Sequence, residues 1–128
     1  MAERLDGVRV LLIDDDEDTL ALYTFALSEV GAAVRTGTDA AGAMRSVTEW
    51  IPAVIVSDLV MPGTDPATLL RDVRSMHPTT RIPAIAVTGR SSASDRKAAF
   101  AAGFQEHAAK PLVPDALIAI VSRCAARG

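Results

Sequence analysis

Several features that mark common protein classes are scarce or absent in this sequence of 128 residues. A single cysteine, Cys124, excludes an internal disulfide and a multi-cysteine zinc site. No apolar run approaches the roughly 18 residues of a membrane span, and the first residues do not begin a secretory signal. We therefore expect a cytoplasmic protein with no membrane span in this chain. The net charge of −3 argues against direct nucleic-acid binding.

Length and composition indicate one folded domain. Hydrophobic residues make up 49% of the chain and charged residues 23%, which is ordinary for a globular protein. No linker, low-complexity tract or internal repeat divides the chain, so we expect a single domain over residues 1–128 with a core at about residues 7–125. The charged residues are unevenly distributed. Five acidic residues stand together at residues 14–18, and the chain has only two lysines, Lys97 and Lys110.

Short apolar runs alternate with segments of helical period. The runs predict buried strands at Val8–Ile13, Ala32–Val34, Ala53–Val56, Ile85–Val87 and Glu106–Ala109. Apolar residues at three- and four-residue spacing predict a helix after each strand. Thr38 is the predicted cap of the second helix, and Asp65 followed by Pro66 marks the start of the third. Five βα units predict an α/β fold with a parallel sheet.

Chemically active residues follow four of these strands. The first strand runs into Asp14 and Asp15, the third into Asp58, the fourth into Thr88 and the fifth into Lys110. Because ligand sites of such sheets lie beyond the carboxyl ends of the strands, these side chains should converge. Crowded carboxylates repel each other, and a hard cation such as Mg²⁺ resolves the conflict. A carboxylate beside a metal and a lysine is arranged to accept a phosphoryl group.

Each of these residues also has an ordinary structural interpretation. The acids at 14–18 can simply favour the start of the first helix, and we assign Asp16, Glu17 and Asp18 to that role. An aspartate after a strand is often a turn residue, a threonine suits a strand, and a lysine suits the surface. The joint placement at the strand ends favours a site for Asp14, Asp15, Asp58, Thr88 and Lys110.

Four separated motifs resemble one known family. LLIDDDED (11–18), SDLVMPG (57–63), AVTG (86–89) and AAKP (108–111) resemble, in this order, the motifs of the receiver domain of two-component response regulators. The resemblance spans nearly the whole chain. It implies a flavodoxin-like (βα)5 three-layer sandwich whose parallel five-stranded sheet has the order 2-1-3-4-5.

The resemblance also implies the phosphoacceptor and the metal site. Asp58 corresponds to the aspartate that accepts a phosphoryl group from a phosphohistidine. Asp14, Asp15 and Asp58, with the backbone carbonyl of Val60, correspond to the site of Mg²⁺ (or Mn²⁺). Water hydrolyses the aspartyl phosphate and returns the domain to its unphosphorylated state. The isolated domain is therefore expected to act as a phosphoacceptor rather than as an enzyme in its own right.

The remaining implied positions concern the switch. Thr88 corresponds to the switch hydroxyl and Lys110 to the phosphate-pairing lysine, whose bond to Pro111 is expected to be cis. Val60 and Arg90 occupy positions that tune the lifetime of the phosphoryl group. His107 stands where the family usually has Tyr or Phe, which makes it a candidate switch residue. Because its imidazole is smaller and polar, we expect its coupling to Thr88 to be weakened or altered.

The resemblance implies partners as well. The phosphodonor is expected to be a histidine kinase or a histidine phosphotransfer protein. The signal is expected to leave through the surface of the fourth helix, fifth strand and fifth helix, to a downstream effector or a second copy in a homodimer. No output domain is expected in this chain, and two contexts stay open: a stand-alone regulator, or a receiver excised from a hybrid histidine kinase.

Two other classes of protein fit this sequence less well. A phosphatase of the haloacid dehalogenase type uses an aspartate nucleophile but needs a second aspartate two residues later, where this chain has Val60. A nucleotide- or flavin-binding module would need a phosphate-binding glycine loop, and Gly37 and Gly42 lack the lysine that follows such a loop.

Overall fold

The computed structural model describes residues 3–78, 81–89 and 92–127. Strands and helices alternate along this part of the chain. The strands are β1 (Arg9–Ile13), β2 (Ala33–Gly37), β3 (Val54–Asp58), β4 (Ala84–Thr88) and β5 (Glu106–Ala109). The helices are α1 (Glu17–Glu29), α2 (Ala40–Ser46), α3 (Pro66–Ser75), α4 (Ala93–Ala101) and α5 (Pro114–Arg127).

The strands form one parallel sheet in the order β2-β1-β3-β4-β5. This order confirms the expected flavodoxin-like fold. In the register of the sheet Ile13 pairs with Ser57, Asp58 with Val87, and Thr88 with Ala109. The carboxyl ends of β1, β3, β4 and β5 therefore meet at one edge, which is where the polar residues of the sequence motifs lie.

Two hydrophobic cores cover the two faces of the sheet. One core packs α1 and α5 onto the sheet through Leu12, Leu27 and Leu117, and the other packs α2 and α3 through Leu11 and Val73, with Ile55 from β3. The central strands β3 and β4 are buried along their whole length, as expected for strands covered on both faces. No helix in the described part of the chain is long and apolar enough to cross a membrane.

The structure corrects the bounds of several elements. β2 runs to Gly37 instead of ending at Val34, because Arg35 and Thr36 are exposed on an edge strand and so break the apolar run. β3 and β4 likewise extend to include Asp58 and Thr88 as their last residues. The predicted cap of α2 at Thr38 is wrong, since Asp39 takes that position and its side chain accepts a hydrogen bond from the Gly42 amide.

The start of α1 follows the sequence prediction. Asp16 caps the helix, and its carboxylate accepts hydrogen bonds from the Asp18 amide at 3.2 Å and the Thr19 hydroxyl at 2.6 Å. The hydrogen bond from Thr19 is the main reason why the pKa of Asp16 is lowered. The Asp16 side chain therefore caps the helix, while Asp14 and Asp15 lie at the edge of the sheet.

Candidate functional site

Three carboxylates gather at the carboxyl edge of the sheet. Carboxylate oxygens of Asp14, Asp15 and Asp58 all lie within 4.8 Å of one another. Asp14 and Asp58 are buried at 5% and 8% exposure, whereas Asp15 is exposed. The structure thus brings Asp58 together with Asp14, which lies 44 positions earlier in the sequence, and with Asp15, whose exposure opens the group to solvent.

Lys110 lies between the two buried carboxylates. Its Nζ atom donates to Asp14 Oδ2 at 2.9 Å and to Asp58 Oδ2 at 3.2 Å. Partial burial on its own lowers the pKa of Lys110, but the hydrogen bond to Asp14 and the attraction of both carboxylates outweigh burial, and the pKa is raised. The ammonium therefore stays charged and serves as the counter-charge of the site.

Backbone amides fix the other oxygen of each buried carboxylate. The Asp16 amide donates to Asp14 Oδ1 at 2.9 Å, and the Val60 amide donates to Asp58 Oδ1 at 3.1 Å. These are short loops that fold back on the aspartate two residues earlier, as Asp side chains commonly do at the end of a strand. Both Oδ2 atoms are consequently presented to the same ammonium group.

The charges of this group do not balance. Three acidic groups lie together and Lys110 pairs with two of them, so acidic groups outnumber basic ones in the site. All the donor atoms are carboxylate oxygens, and one of the three residues is exposed. This set of donors fits a hard divalent cation of the Mg²⁺ type, which favours oxygen ligands and keeps several of its waters.

Thr88 lies beside the site at the end of β4. Its side chain is fully buried, and its carbonyl accepts a hydrogen bond from the Lys110 amide at 2.9 Å. A cavity of about 190 Å³ adjoins Thr88, between the loop after β3 and helix α4. Asp95, Ala98 and Ala99 of α4 line this cavity, with Ala102 just after the helix, so most of the side chains on this wall are small.

The other predicted site residues fall around this centre. Val60 is 50% exposed next to Asp58, and His107 is partly buried in β5 opposite Ala86. The peptide bond between Lys110 and Pro111 is cis, as the resemblance implies. Arg90, the other predicted lifetime-tuning residue, lies outside the described residues.

Sequence reasoning missed one contact near the site. The hydroxyl of Tyr23, on α1, donates to the carbonyl of Leu112 at 3.1 Å. Burial raises the pKa of Tyr23, with the nearby charge of Lys110 acting to lower it and that of Asp14 to raise it. In the sequence Tyr23 is only one apolar-face residue of a helix, and no motif or spacing connects it to a loop 89 residues away.

Comparison with known proteins identifies the family. A sequence profile described as the response regulator receiver domain matches residues 10–122. The chain therefore belongs to the response regulator receiver domain family. It is a phosphoacceptor domain of two-component signalling, as the four sequence motifs predicted. Receiver domains bind Mg²⁺ through an aspartate cluster, and Asp14, Asp15 and Asp58 form such a group here.

Curated relatives agree with this assignment. The chain is 36% identical over 121 residues to an uncharacterized 14.6 kDa protein of Leptolyngbya boryana, covering 94% of this chain and 92% of that protein. It is 39% identical over 113 residues to the transcriptional regulatory protein PrrA of Mycobacterium tuberculosis, covering 88% of this chain. The chain spans 48% of the length of PrrA. Its response regulator homologues imply a histidine kinase as partner.

A solved structure supports the fold. The chemotaxis response regulator CheY4 of Vibrio cholerae superposes with a TM-score of 0.83, covering 92% of this chain and 98% of that chain. The sequence identity is 24%. This likeness establishes the same arrangement of strands and helices.

Proposed function

We propose that Asp58 is the phosphoacceptor of this receiver domain. The observation that carries the proposal is the shared contact of Lys110 Nζ with Asp14 and Asp58, which sets one buried carboxylate beside both a cation and an acidic pair. A carboxylate oxygen of Asp58 forms the new O–P bond as the P–N bond of a donor phosphohistidine breaks. The product is an aspartyl phosphate, which water later hydrolyses.

Asp14, Asp15 and Asp58 are the residues that would hold Mg²⁺ (or Mn²⁺), with the backbone carbonyl of Val60 as a fourth protein ligand. The excess negative charge of the three carboxylates supports this assignment. When bound, the cation supplies positive charge that offsets the charge on the phosphoryl oxygens. Lys110, which donates to Asp14 and Asp58, would supply the second positive charge, and its ammonium would pass from the Asp58 carboxylate to the phosphoryl group.

Thr88 would carry the signal away from the site. The buried Thr88 adjoins the cavity against α4, and this supports a rearrangement in which its side chain turns toward the phosphoryl group and α4 repacks. Packed elements with two discrete arrangements are the usual carriers of such a population shift. His107 on β5 is the candidate partner of Thr88 in this switch, and Val60 and Arg90 are the positions that tune the lifetime of the phosphoryl group.

The surface of α4, β5 and α5 would pass the signal to an effector or to a second copy of the domain. Phe100 on α4 is 51% exposed, so its ring is available to a partner on this surface. If this is correct, Phe100→Ala keeps phosphorylation intact and weakens the phosphorylation-dependent association that sedimentation detects. Association that is insensitive to Phe100, or to phosphorylation, would argue against this surface.

We place the chain, residues 1–128 with a core at about residues 7–125, as a single receiver domain in a response regulator. The likeness to PrrA at 39% identity supports this context, and the alternative of a hybrid histidine kinase is not better supported. The phosphodonor is accordingly a phosphohistidine of a histidine kinase or of a phosphotransfer protein.

The test uses a small-molecule phosphodonor such as acetyl phosphate, with intact-mass detection. We expect one added phosphoryl group in the presence of Mg²⁺, none after chelation of the metal, and none in Asp58→Asn. Asp72→Asn, which alters an acid on the surface of α3, is the matched control and should be labelled like the wild type. Labelling that persists in Asp58→Asn or that ignores Mg²⁺ contradicts the proposal.

A further inference from the structure

The loop between β5 and α5 carries Lys110 and is held at two points. At its start the Lys110 amide donates to the Thr88 carbonyl at 2.9 Å, which continues the pairing of β5 with β4. Two residues later the Leu112 carbonyl accepts the hydrogen bond from the hydroxyl of Tyr23. The position of the Lys110 side chain thus depends on a backbone that is fixed on one side by β4 and on the other by α1.

The tyrosine that makes the second contact is itself rigidly placed. Tyr23 is 7% exposed and belongs to the core between α1 and α5, where it lies among Leu20, Leu27 and Leu117. A buried phenol keeps a hydrogen-bond partner because leaving its hydroxyl unpaired costs free energy. Since the ring is held by packing, the hydroxyl marks a fixed point for the loop that it contacts.

Helix α1 joins the two halves of the site. It begins immediately after the acidic pair, with Asp16 as its cap, and Tyr23 lies two turns further along the same helix. One rigid element therefore sets both the position of Asp14 and, through Leu112, the position of the loop that carries Lys110. The contacts of Lys110 with Asp14 and Asp58 require both to be correct.

We propose that Tyr23 is a positioning residue for phosphoryl transfer, whose hydroxyl holds the β5–α5 loop so that the Lys110 ammonium stays between Asp14 and Asp58. This inference rests on the proposed function of Asp58 and Lys110. It assigns a role to a residue that lies outside the four sequence motifs. Tyr23 touches no reacting group and acts through the Leu112 carbonyl alone.

Tyr23→Phe tests the proposal because it removes the hydroxyl and keeps the buried ring. We expect the rate of phosphorylation by acetyl phosphate to fall by about three- to tenfold, the range that corresponds to one hydrogen bond. We expect the affinity for Mg²⁺, measured by calorimetry without phosphodonor, to stay unchanged, because Asp14 and Asp58 are each also held by a backbone amide that lies outside the loop. Circular dichroism establishes that the variant is folded at the assay temperature.

The neighbouring residue on the same helix provides a matched control. Thr24 Oγ1 is buried and has no hydrogen-bond partner among the described residues, so Thr24→Val removes a hydroxyl from α1 that holds nothing. We expect this variant to be phosphorylated at the rate of the wild type. A slowing in Thr24→Val equal to that in Tyr23→Phe would show a general effect of altering α1 and would overturn the proposal.

The possible outcomes separate this inference from the proposed function. A wild type that accepts no phosphoryl group would refute the proposed function itself. A wild type that is labelled at Asp58, together with an unchanged rate in Tyr23→Phe, would refute only the role of Tyr23. If Tyr23→Phe lowered the affinity for Mg²⁺ by the same factor as the rate of phosphorylation, the role of Tyr23 would also be refuted. The hydroxyl would then support the whole site rather than the position of Lys110.

Discussion

At the scale of single residues, the site is an unbalanced group of charges held together by one lysine. The Asp58 carboxylate is repelled by two carboxylates, those of Asp14 and Asp15, and attracted by one ammonium, that of Lys110. Repulsion therefore exceeds attraction when no divalent cation is bound. We predict that Asp58→Asn raises the free energy of unfolding by about 1 kcal/mol in a chelating buffer. Saturating Mg²⁺ should shrink or reverse this difference, because the wild type then gains a metal ligand.

Denaturant unfolding of both proteins, with and without Mg²⁺, checks this prediction. The fluorescence of Trp50, the single tryptophan, reports unfolding because its ring is buried beside the guanidinium groups of Arg9 and Arg35. Asp72→Asn on the surface of α3 should leave stability nearly unchanged. A metal-free Asp58→Asn that is less stable than the wild type would mean that Lys110 outweighs the repulsion.

A second prediction at this scale concerns the backbone after α2. Glu49 has a φ of 58°, a left-handed conformation that glycine adopts without the steric cost of a Cβ atom. We predict that Glu49→Gly raises the free energy of unfolding by about 0.5–1 kcal/mol. Glu49→Ala keeps the Cβ atom and should give no such gain. If both variants were more stable than the wild type by the same amount, the gain would come from removing the charge and not from the backbone.

At the scale of elements, a half-buried arginine fastens α3 to two loops, the one before β4 and the one between α4 and β5. Arg74 donates to the carbonyls of Ile82, before β4, and Gly103, after α4, and to Gln105 Oε1 before β5. Burial lowers the pKa of Arg74. Because the guanidinium contacts both connections, it links α3 to the starts of β4 and β5, at the end of the sheet that is remote from the site.

We predict that Arg74→Met lowers the free energy of unfolding by about 2 kcal/mol, since it leaves these acceptors without a charged donor. Hydrogen exchange should quicken at Gly103 and Gln105 while the amides of α1 stay protected. Arg71→Met, on the same helix with its guanidinium exposed, is the matched control and should change little. A uniform increase in exchange over the whole chain would contradict a local fastening role.

The bounds of the strands and helices show how much of the secondary structure the sequence predicts. β1, β3 and β4 are buried on both faces, so their apolar runs predicted them to within two residues. β2 was predicted too short because it is an edge strand, and its exposed Arg35 and Thr36 carry no apolar signal. The cap of α2 was misplaced by one residue because Thr38 and Asp39 are both good capping residues and only the folded backbone selects between them.

At the scale of the whole molecule, the site is a consequence of topology. The parallel sheet brings the ends of β1, β3, β4 and β5 to one edge, so Asp14, Asp58, Thr88 and Lys110 could be grouped from the sequence alone. The pairing of Lys110 with two carboxylates and the contact of Tyr23 with Leu112 could not, because they depend on side-chain packing between distant helices and loops. Sequence periodicity carries no signal for such contacts.

Cation binding should stabilise the entire domain, since only the folded chain assembles the three carboxylates. We predict that Mg²⁺ at 100 times its dissociation constant adds about 2.7 kcal/mol and raises the melting temperature by several degrees. Asp15→Asn should lose most of this gain, while Asp72→Asn keeps it. Thermal unfolding over a Mg²⁺ titration measures the effect. An equal gain in the wild type and in Asp15→Asn would place the bound cation elsewhere.

The most direct test of the central claim is the chemical identification of the phosphorylated residue. Treatment of the phosphorylated domain with borohydride reduces an aspartyl phosphate to homoserine, which peptide mass spectrometry then locates in the chain. Phosphorylation with acetyl phosphate and Mg²⁺ is predicted to yield homoserine at position 58 and nowhere else. Homoserine at position 14 or 15, or none in a domain that carries a phosphoryl group, would contradict the assignment of Asp58 as the phosphoacceptor.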